Sequence, residues 1–439
     1  MDHTATLKSV LGCGGVKSTA LPGLMTTNLK LRFALTSFLL GMILLNALVF
    51  WRAWWQVVAG WPDFSIFYTA GLILRRGQGN ALYDNGLQLQ VQHEFAAASH
   101  ERNSPLPYNH PPFEAVVYVP LTSLTYLRAY ELWALLNLFL LGGVVLFVRP
   151  YIPSLHSSFP WVPWLAGLAF FPVAYALMQG QDSIVLLALY CLAYAALRRA
   201  RDLEAGVWLG LGLFKFHLVL PFVLILALRR RWRAILGVLL SACLDGLVSW
   251  ALVGWKELLS YPSYAWEVNR HFDARVIAPR NMANLRGLFT GWSRAQATSP
   301  RVALALLAVS LALLAWAAWQ WGPEDACDIT RWNNGFCIAL LSTFLVSYHS
   351  YNHDMSILFL PALLLADRLL QGRPEGWYNF ALKLGLGLMF FSPLYLILTL
   401  HYSHQNLFAL VLLELVGTLA AWSASLKAGS GRDCSPNLA

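Results

Sequence analysis

The stretch LRFALTSFLLGMILLNALVFWRAWW, residues 31–55, decides the class of fold. A helix needs about 20 apolar residues to cross the roughly 30 Å hydrocarbon core of a bilayer, and this stretch is long enough. Of all 439 residues, 58% are hydrophobic and only 12% are charged. A soluble domain has about 25% charged residues, so this chain has too few charged residues for a surface that faces water on all sides. Much of the surface must therefore face lipid.

Other apolar stretches of spanning length follow, at residues 128–147, 234–253, 302–321, 377–398 and 406–425. With the shorter apolar segments between them, they predict an all-α polytopic membrane protein. We expect about twelve transmembrane or membrane-embedded helices in a single membrane domain, residues 33–428. The 19 Trp and 17 Tyr fit aromatic belts at the membrane interfaces. The net charge of +9 comes from basic turns and one basic loop, a pattern that does not indicate nucleic acid as a partner.

Positive charges predict that both termini are cytoplasmic. Short cytoplasmic segments carry an excess of Lys and Arg, and basic residues precede the first apolar stretch. The tails, residues 1–32 and 429–439, are therefore placed inside. Two long outer loops, residues 56–127 and 254–300, are placed outside.

Two densely basic turns, residues 198–201 and 229–233, are also predicted to be cytoplasmic. Too few residues separate them for two full spans. The spacing fits a hairpin of two short helices, residues 204–214 and 216–228, with Lys215 at a tip about 17 Å inside the membrane. A charge at that depth needs a water-filled cavity or a charged partner. The alternative is one tilted span, with one of the basic turns on the opposite side.

Asp63 lies in WPDFSIFY, residues 61–68, shortly after the first apolar stretch. The spacing of apolar residues predicts an amphipathic helix over residues 64–76, lying along the membrane interface. Asp is a favoured N-cap, so Asp63 either caps this helix or presents a carboxylate just outside the membrane. A carboxylate in that place can act as a general base on an acceptor hydroxyl.

The same outer loop contains YNHPPF, residues 108–113. The paired prolines break a helix, and residues 113–124 read as a second interfacial helix. His110 would face the outer cavity, as a sugar-binding group or as a structural histidine. In the turn QGQDS, residues 179–183, Gln181 and Asp182 either bind sugar hydroxyls or belong to a tight loop with a helix cap.

Phosphate binding is predicted for three cations. Lys215 is a compact point charge suited to a phosphate. Arg275 and Arg280 belong to four arginines between residues 270 and 286, which suit a phosphate at the lipid surface or contact anionic headgroups without catalysis. Asn281, next to Arg280, is a candidate for binding sugar or acceptor.

His349 and His353 lie in YHSYNHD, residues 348–354. No third His or Cys ligand has suitable spacing for zinc. We therefore expect these histidines to hydrogen-bond phosphate or sugar, and we expect neither a metal nor a cofactor.

These motifs resemble glycosyltransferase family 87. The residues that carry the resemblance, in order, are Asp63-Phe64, Phe67-Tyr68, Leu82-Tyr83-Asp84, His110-Pro111-Pro112-Phe113, Gly180-Gln181, and Gly206, Gly210 and Lys215 with the basic turn that follows. The resemblance covers roughly residues 35–370. His110 departs from it, because that position is often aromatic in the family.

The resemblance implies a GT-C fold and an inverting transfer of a sugar, mannose by default, from a polyprenyl-phosphate donor to a glycolipid or glycan acceptor. It implies a multi-pass protein of the bacterial inner membrane with its site on the outer face, and it assigns Asp63 as the general base. The base must be ionised, and the leaving phosphate needs cations such as Lys215, Arg275 and Arg280. A lipid-phosphate donor has one phosphate and not two, so it gains little from a bridging divalent ion. The competing interpretations are a polyprenyl-lipid flippase or transporter and a non-catalytic lipid-binding subunit.

Overall fold

The computed structural model describes residues 22–271, 279–292, 300–322, 329–372 and 375–430. Within these ranges the regular elements are all helical. The α-helices are α1 (Pro22–Ala59), α2 (Phe64–Arg75), α3 (Asn85–His93), α4 (Pro112–Ala115), α5 (Tyr126–Val148), α6 (Pro153–Ser158), α7 (Val162–Ala169), α8 (Phe171–Gln179), α9 (Ser183–Arg198), α10 (Asp202–Gly210), α11 (Phe216–Leu228), α12 (Trp232–His271), α13 (Leu285–Trp292), α14 (Pro300–Gln320), α15 (Ile329–Val346), α16 (Phe359–Leu370), α17 (Gly376–Phe390), α18 (Ser392–Leu396) and α19 (Phe408–Ser430). The fold is that of a polytopic membrane protein, as predicted.

Long apolar helices coincide with the predicted stretches. In the described ranges five helices are long and apolar enough to cross a membrane, or up to eight if each bent pair of helices is one span. Three pairs are bent: α7 with α8 by 56°, α10 with α11 by 64°, and α17 with α18 by 61°. Helices α8 and α18 each have a proline in the first turn, where the missing N–H breaks the preceding helix. The count of twelve segments stays a prediction.

The predicted outer loop, residues 56–127, folds into a cap. The place of helix α2 at a membrane interface stays a prediction, and eight of its residues are buried within the cap. Aromatic side chains from residues 108–133 pack over it: the Phe67 and Tyr118 rings, for example, stack with centroids 4.7 Å apart. The prediction of a continuous second helix over residues 113–124 was wrong. The structure has only α4, which is four residues long, and a short 3-10 turn at Pro120–Ser123.

The segment between the basic turns is a hairpin. Helix α10 packs closely along the start of α12: an added Cβ on Gly206 would lie 1.9 Å from the Ala234 carbonyl oxygen, and one on Gly210 would lie 2.5 Å from the Ser241 Cβ. The later residue of α10 thus contacts the later residue of α12. This order means that α10 and α12 run in the same direction. The intervening helix α11 must therefore return the chain to the end where α10 starts.

An ion pair joins the two ends of that hairpin. Arg231 Nη1 lies 3.0 Å from Asp202 Oδ1, so the start of α10 and the turn after α11 meet. Both basic turns consequently lie at one end of the fold and Lys215 lies at the other. The predicted hairpin describes this geometry, whereas a single straight span would hold Asp202 and Arg231 far apart.

Helix α12 changes direction at Gly254, whose φ of +77° is non-helical. Its second part packs onto the cap, where the Tyr83 ring stacks on Tyr261 and lies against Tyr264. The backbone N–H of Tyr83 also donates to Glu257 Oε1 at 2.8 Å. The cap is thereby fixed against the helical body.

Candidate functional site

A cavity of about 140 Å³ lies between the cap and the ends of several helices. Its polar lining comes from the start of α2, the segment before α4, the turn before α9, the hairpin tip and the segment after α15. The lining residues with polar or ionisable side chains include Asp63, Asn109, His110, Gln181, Lys215, His217, His349, His353 and Asp354. The sequence predicted six of these as site residues: Asp63, His110, Gln181, Lys215, His349 and His353.

Asp63 occupies the N-cap position of α2, but its side chain does not cap the helix. Instead its Oδ2 accepts a hydrogen bond from Gln181 Nε2 at 2.7 Å, and its backbone N–H donates to Gln179 Oε1 at 3.2 Å. The side chain is partly exposed to the cavity. The capping alternative therefore does not account for this carboxylate.

Gly180 brings Asp63 and Gln181 together. Its φ is +62°, a left-handed conformation that glycine adopts without strain. A Cβ on Gly180 would lie 2.6 Å from the Cβ of Phe64. The absence of a side chain thus lets the start of α2 approach the turn before α9, which places Gln181 beside the carboxylate.

Lys215 is 2% exposed and its ammonium has four polar neighbours. Its Nζ lies 2.6 Å from Asp354 Oδ1, 3.0 Å from Asp182 Oδ1, 2.8 Å from Ser183 Oγ and 3.1 Å from Gln181 Oε1. The charge at the hairpin tip thus has the charged partners that its burial requires. Two carboxylates offset it, so a phosphate would have to compete with them for this ammonium.

A second acidic residue, which sequence analysis missed, lies behind the cavity. Glu114 Oε2 is 2.8 Å from His110 Nδ1, and ligand atoms of His110, Glu114 and Asp182 lie within 4.8 Å of one another. Burial, then the nearby Asp182, raise the pKa of Glu114 well above its usual range. Its signal in the sequence was a carboxylate four residues after His110 in an apolar run. Asp182, one member of this group, also lies 3.0 Å from the Lys215 ammonium.

Three histidines of the cavity wall, His110, His349 and His353, are neutral at neutral pH. Burial lowers the pKa of His110 to about 4, and burial also lowers the pKa of His349 and His353. For Asp354, burial opposes ionisation, but His353, which becomes charged at acid pH, and the Lys215 ammonium hold the pKa of the carboxyl below its usual range. These histidines therefore offer hydrogen bonds and no positive charge at neutral pH.

The remaining predicted residues are not in the cavity wall. Asp182 is buried behind Lys215 and does not line the cavity. Arg280 is exposed, and neither it nor Asn281 lines the cavity. Arg275 lies outside the described residues. Arg286, from the same basic loop, stacks on Tyr348 at the cavity wall, with its guanidinium 4.2 Å from the ring centroid.

A profile of glycosyltransferase family 87 matches residues 108–347. The chain belongs to glycosyltransferase family 87. No curated protein and no solved structure matches the chain.

The family 87 match includes part of the site. It covers His110, Gln181 and Lys215, and it ends just before the segment that carries His349 and His353. Asp63 lies before its start. The resemblance seen in the sequence is confirmed, and the protein is a GT-C-like membrane glycosyltransferase.

Proposed function

We propose that this family 87 glycosyltransferase moves a sugar from a polyprenyl-phosphate donor to a hydroxyl of a glycolipid or glycan, with inversion. Mannose is the proposed sugar. The proposed place is the outer face of a bacterial inner membrane, in cell-envelope glycolipid synthesis. The observation that carries the proposal is the Asp63 carboxylate, turned away from its helix and into a polar cavity.

Asp63 is the proposed general base. A base must lie within hydrogen-bond reach of the proton that it removes. Oδ2 of Asp63 already accepts a hydrogen bond from Gln181, and among the described residues nothing donates to Oδ1. That oxygen can receive the proton of an acceptor hydroxyl as the hydroxyl attacks the anomeric carbon of the donor.

The size and lining of the cavity support a single sugar ring as its occupant. A protein cavity of roughly 150 Å³ holds benzene, another six-membered ring, and this cavity measures about 140 Å³. Neutral His110, His349 and His353 can each donate and accept a hydrogen bond, as sugar hydroxyls require. Gln181, Asp182 and Asn281 stay predictions in a sugar- or acceptor-binding role.

The leaving phosphate needs cations, and the proposal places it at the cavity mouth. Lys215 contributes positive charge from within the wall, although two carboxylates offset that charge. Arg286 is close to the mouth, and Arg275 and Arg280 belong to the same loop. The arginines are therefore the main proposed phosphate ligands, with Lys215 as a secondary one.

A second, apolar cavity of about 400 Å³ supports a lipid-borne donor. It lies among α4, α5, α9, α10 and α12, and it shares Phe214 with the polar cavity. Its outer edge includes Val116, Val117 and Leu244, whose side chains are exposed on the apolar surface. A polyprenyl chain could enter here from the bilayer while its phosphate stays near the polar cavity.

Sugar transfer in proteoliposomes tests the proposal. Polyprenyl-phosphate mannose, radiolabelled in the sugar, is supplied with a mixed lipid acceptor extract. Asp63→Asn should lower the transfer rate by about 100- to 10,000-fold, the usual contribution of a general base, with donor binding retained. Asp84→Asn is the matched control, since Asp84 caps α3 through Leu87 N–H at 2.8 Å and Asn also caps helices.

The outcomes separate the alternatives. Equal transfer by the wild type and Asp63→Asn would exclude Asp63 as the base. Movement of the lipid across vesicles without any sugar transfer would favour the flippase interpretation instead.

A further inference from the structure

Four side chains form a hydrogen-bonded chain from the cavity into the protein core. Asp63 Oδ2 accepts from Gln181 Nε2 at 2.7 Å, and Gln181 Oε1 accepts from Lys215 Nζ at 3.1 Å. Lys215 in turn donates to Asp354 Oδ1 at 2.6 Å. Separate parts of the chain supply these residues, so the arrangement exists only in the folded protein.

The chemistry of the two ends fixes the orientation of the Gln181 amide. An ammonium group only donates hydrogen bonds, and an ionised carboxylate only accepts them. The amide oxygen must therefore face Lys215 and the amide nitrogen must face Asp63. The reverse orientation would place N–H groups against the ammonium and an oxygen against the carboxylate.

The Lys215 ammonium is itself fixed in place. Ser183, Asp182 and Asp354 surround it at 2.8, 3.0 and 2.6 Å. An ammonium has three N–H donors, and hydrogen bonds to Ser183 Oγ, Asp354 Oδ1 and Gln181 Oε1 use all of them, while the two aspartates offset its charge. Lys215 therefore serves better as a rigid donor to Gln181 than as a free cation for a mobile ligand.

We infer that Gln181 is a positioning residue for Asp63, and that Lys215 acts on Asp63 through Gln181. The chain of hydrogen bonds holds one oxygen of Asp63 in place and leaves the other open toward the acceptor hydroxyl. This inference rests on the proposed function of Asp63 as the base. It gives Gln181 and Lys215 a role apart from binding sugar or phosphate.

Other titratable groups also face Asp63, and they set the background for any pH measurement. They are Lys215 and His217 at the hairpin tip, His110 from the cap, His349, His353 and Asp354 after α15, Glu114 and Asp182 behind the cavity, and Tyr126 and Tyr175 nearby. All of them remain in variants of Gln181. A change in Asp63 titration between such variants therefore reports the amide itself.

The test changes Gln181, because removal of Lys215 would leave two buried carboxylates without a cation. Gln181→Met keeps the length of the side chain and removes both hydrogen bonds. Gln181→Glu keeps its shape and places a second carboxylate against Asp63, which disfavours ionisation of both. Each variant should shift protonation of Asp63 to higher pH, the Glu variant more strongly.

Two measurements detect the predicted shift in Asp63 protonation. The rate of Asp63 labelling by a carbodiimide, which reacts with protonated carboxyls, is measured against pH by mass spectrometry and needs no turnover. Sugar transfer is measured against pH in parallel. At neutral pH we expect kcat to fall about 10- to 100-fold, with partial recovery at higher pH in Gln181→Glu and little change in the donor KM.

Gln179→Met is the matched control, since Gln179 contacts the backbone N–H of Asp63 and not its carboxylate. Its labelling profile should match that of the wild type. Unchanged labelling in both Gln181 variants, with a raised donor KM, would overturn the inference and make Gln181 a substrate ligand. The expected labelling shift in a protein that transfers no sugar would instead overturn the proposed function and leave the positioning of Asp63 supported.

Discussion

At the scale of single residues, two neighbouring acidic side chains of the site, Glu114 and Asp182, differ in their protonation. Glu114 and Asp182 are close neighbours, but only Asp182 also faces the Lys215 ammonium. Like charges in a buried place cannot both ionise at low cost. The proton therefore stays on Glu114, beside a neutral His110, and the negative charge stays on Asp182.

This arrangement predicts the effect of Glu114→Gln on stability against pH. The folded pKa of Glu114 is raised, so the stability that its protonated form contributes is complete below about pH 4.3. It is lost as pH rises through the folded pKa. Gln needs no proton, so the variant should match the wild type at acid pH and become more stable than it as pH rises.

Thermal unfolding in detergent between pH 4.5 and 8.5 measures this difference. The exposed Glu101→Gln serves as control and should show no such trend. A Glu114→Gln stability difference that stays constant with pH would mean that Glu114 is ionised in the folded protein.

At the scale of elements, glycines let the hairpin lie against α12. A Cβ on Gly237 would lie 2.2 Å from the Leu203 carbonyl oxygen, whereas one on Gly246, further along the same helix, would meet nothing within 4 Å. The contact at Gly237 is with backbone, which cannot rotate away as a side chain can. The depth of the hairpin tip, and thus the place of Lys215, depends on this close approach.

Gly237→Ala should therefore destabilise the protein by about 1–3 kcal/mol, as overpacking does. Gly246→Ala should be neutral or should stabilise it by up to about 1 kcal/mol, because Ala favours helix over Gly. Thermal unfolding of both variants in the same detergent compares them directly. Equal effects would show that the α10–α12 contact does not limit stability.

At the scale of the whole molecule, the cavity lies where the cap meets the helical body. The cap contributes Asp63 and His110, the hairpin tip contributes Lys215, and α9 begins beside the cavity. A helix N-terminus carries partial positive charge, which favours the ionised carboxylates gathered here. The charges of this site are balanced across several elements, so no single segment carries a complete site.

The hairpin also makes a prediction about topology. Because Arg231 contacts Asp202, both basic turns must lie on one side of the membrane, opposite the cap. In a cysteine-free background, Gln90→Cys in the cap should react with a membrane-impermeant maleimide on intact cells. Ala200→Cys and Arg230→Cys should react only after permeabilisation. Labelling of just one of these two turns from outside would contradict the hairpin.

The sequence by itself determined the helical membrane class, the places of the long helices, the hairpin and the family. Helix length, charge distribution and short motifs are local properties, so they can be read without knowing which segments meet. The same locality explains a wrong prediction, since periodicity could not reveal that residues 113–124 form only α4 and a short 3-10 turn.

Only the tertiary structure decided how the site residues act on one another. Asp63, Gln181, Lys215 and Asp354 are distant in the chain, and their hydrogen bonds arise where Gly180 lets two segments touch. The sequence identified Lys215 as a charge that needs a partner. Whether that partner was a phosphate or a pair of carboxylates depended on packing, because the electrostatic environment of a buried group is set by whichever elements surround it.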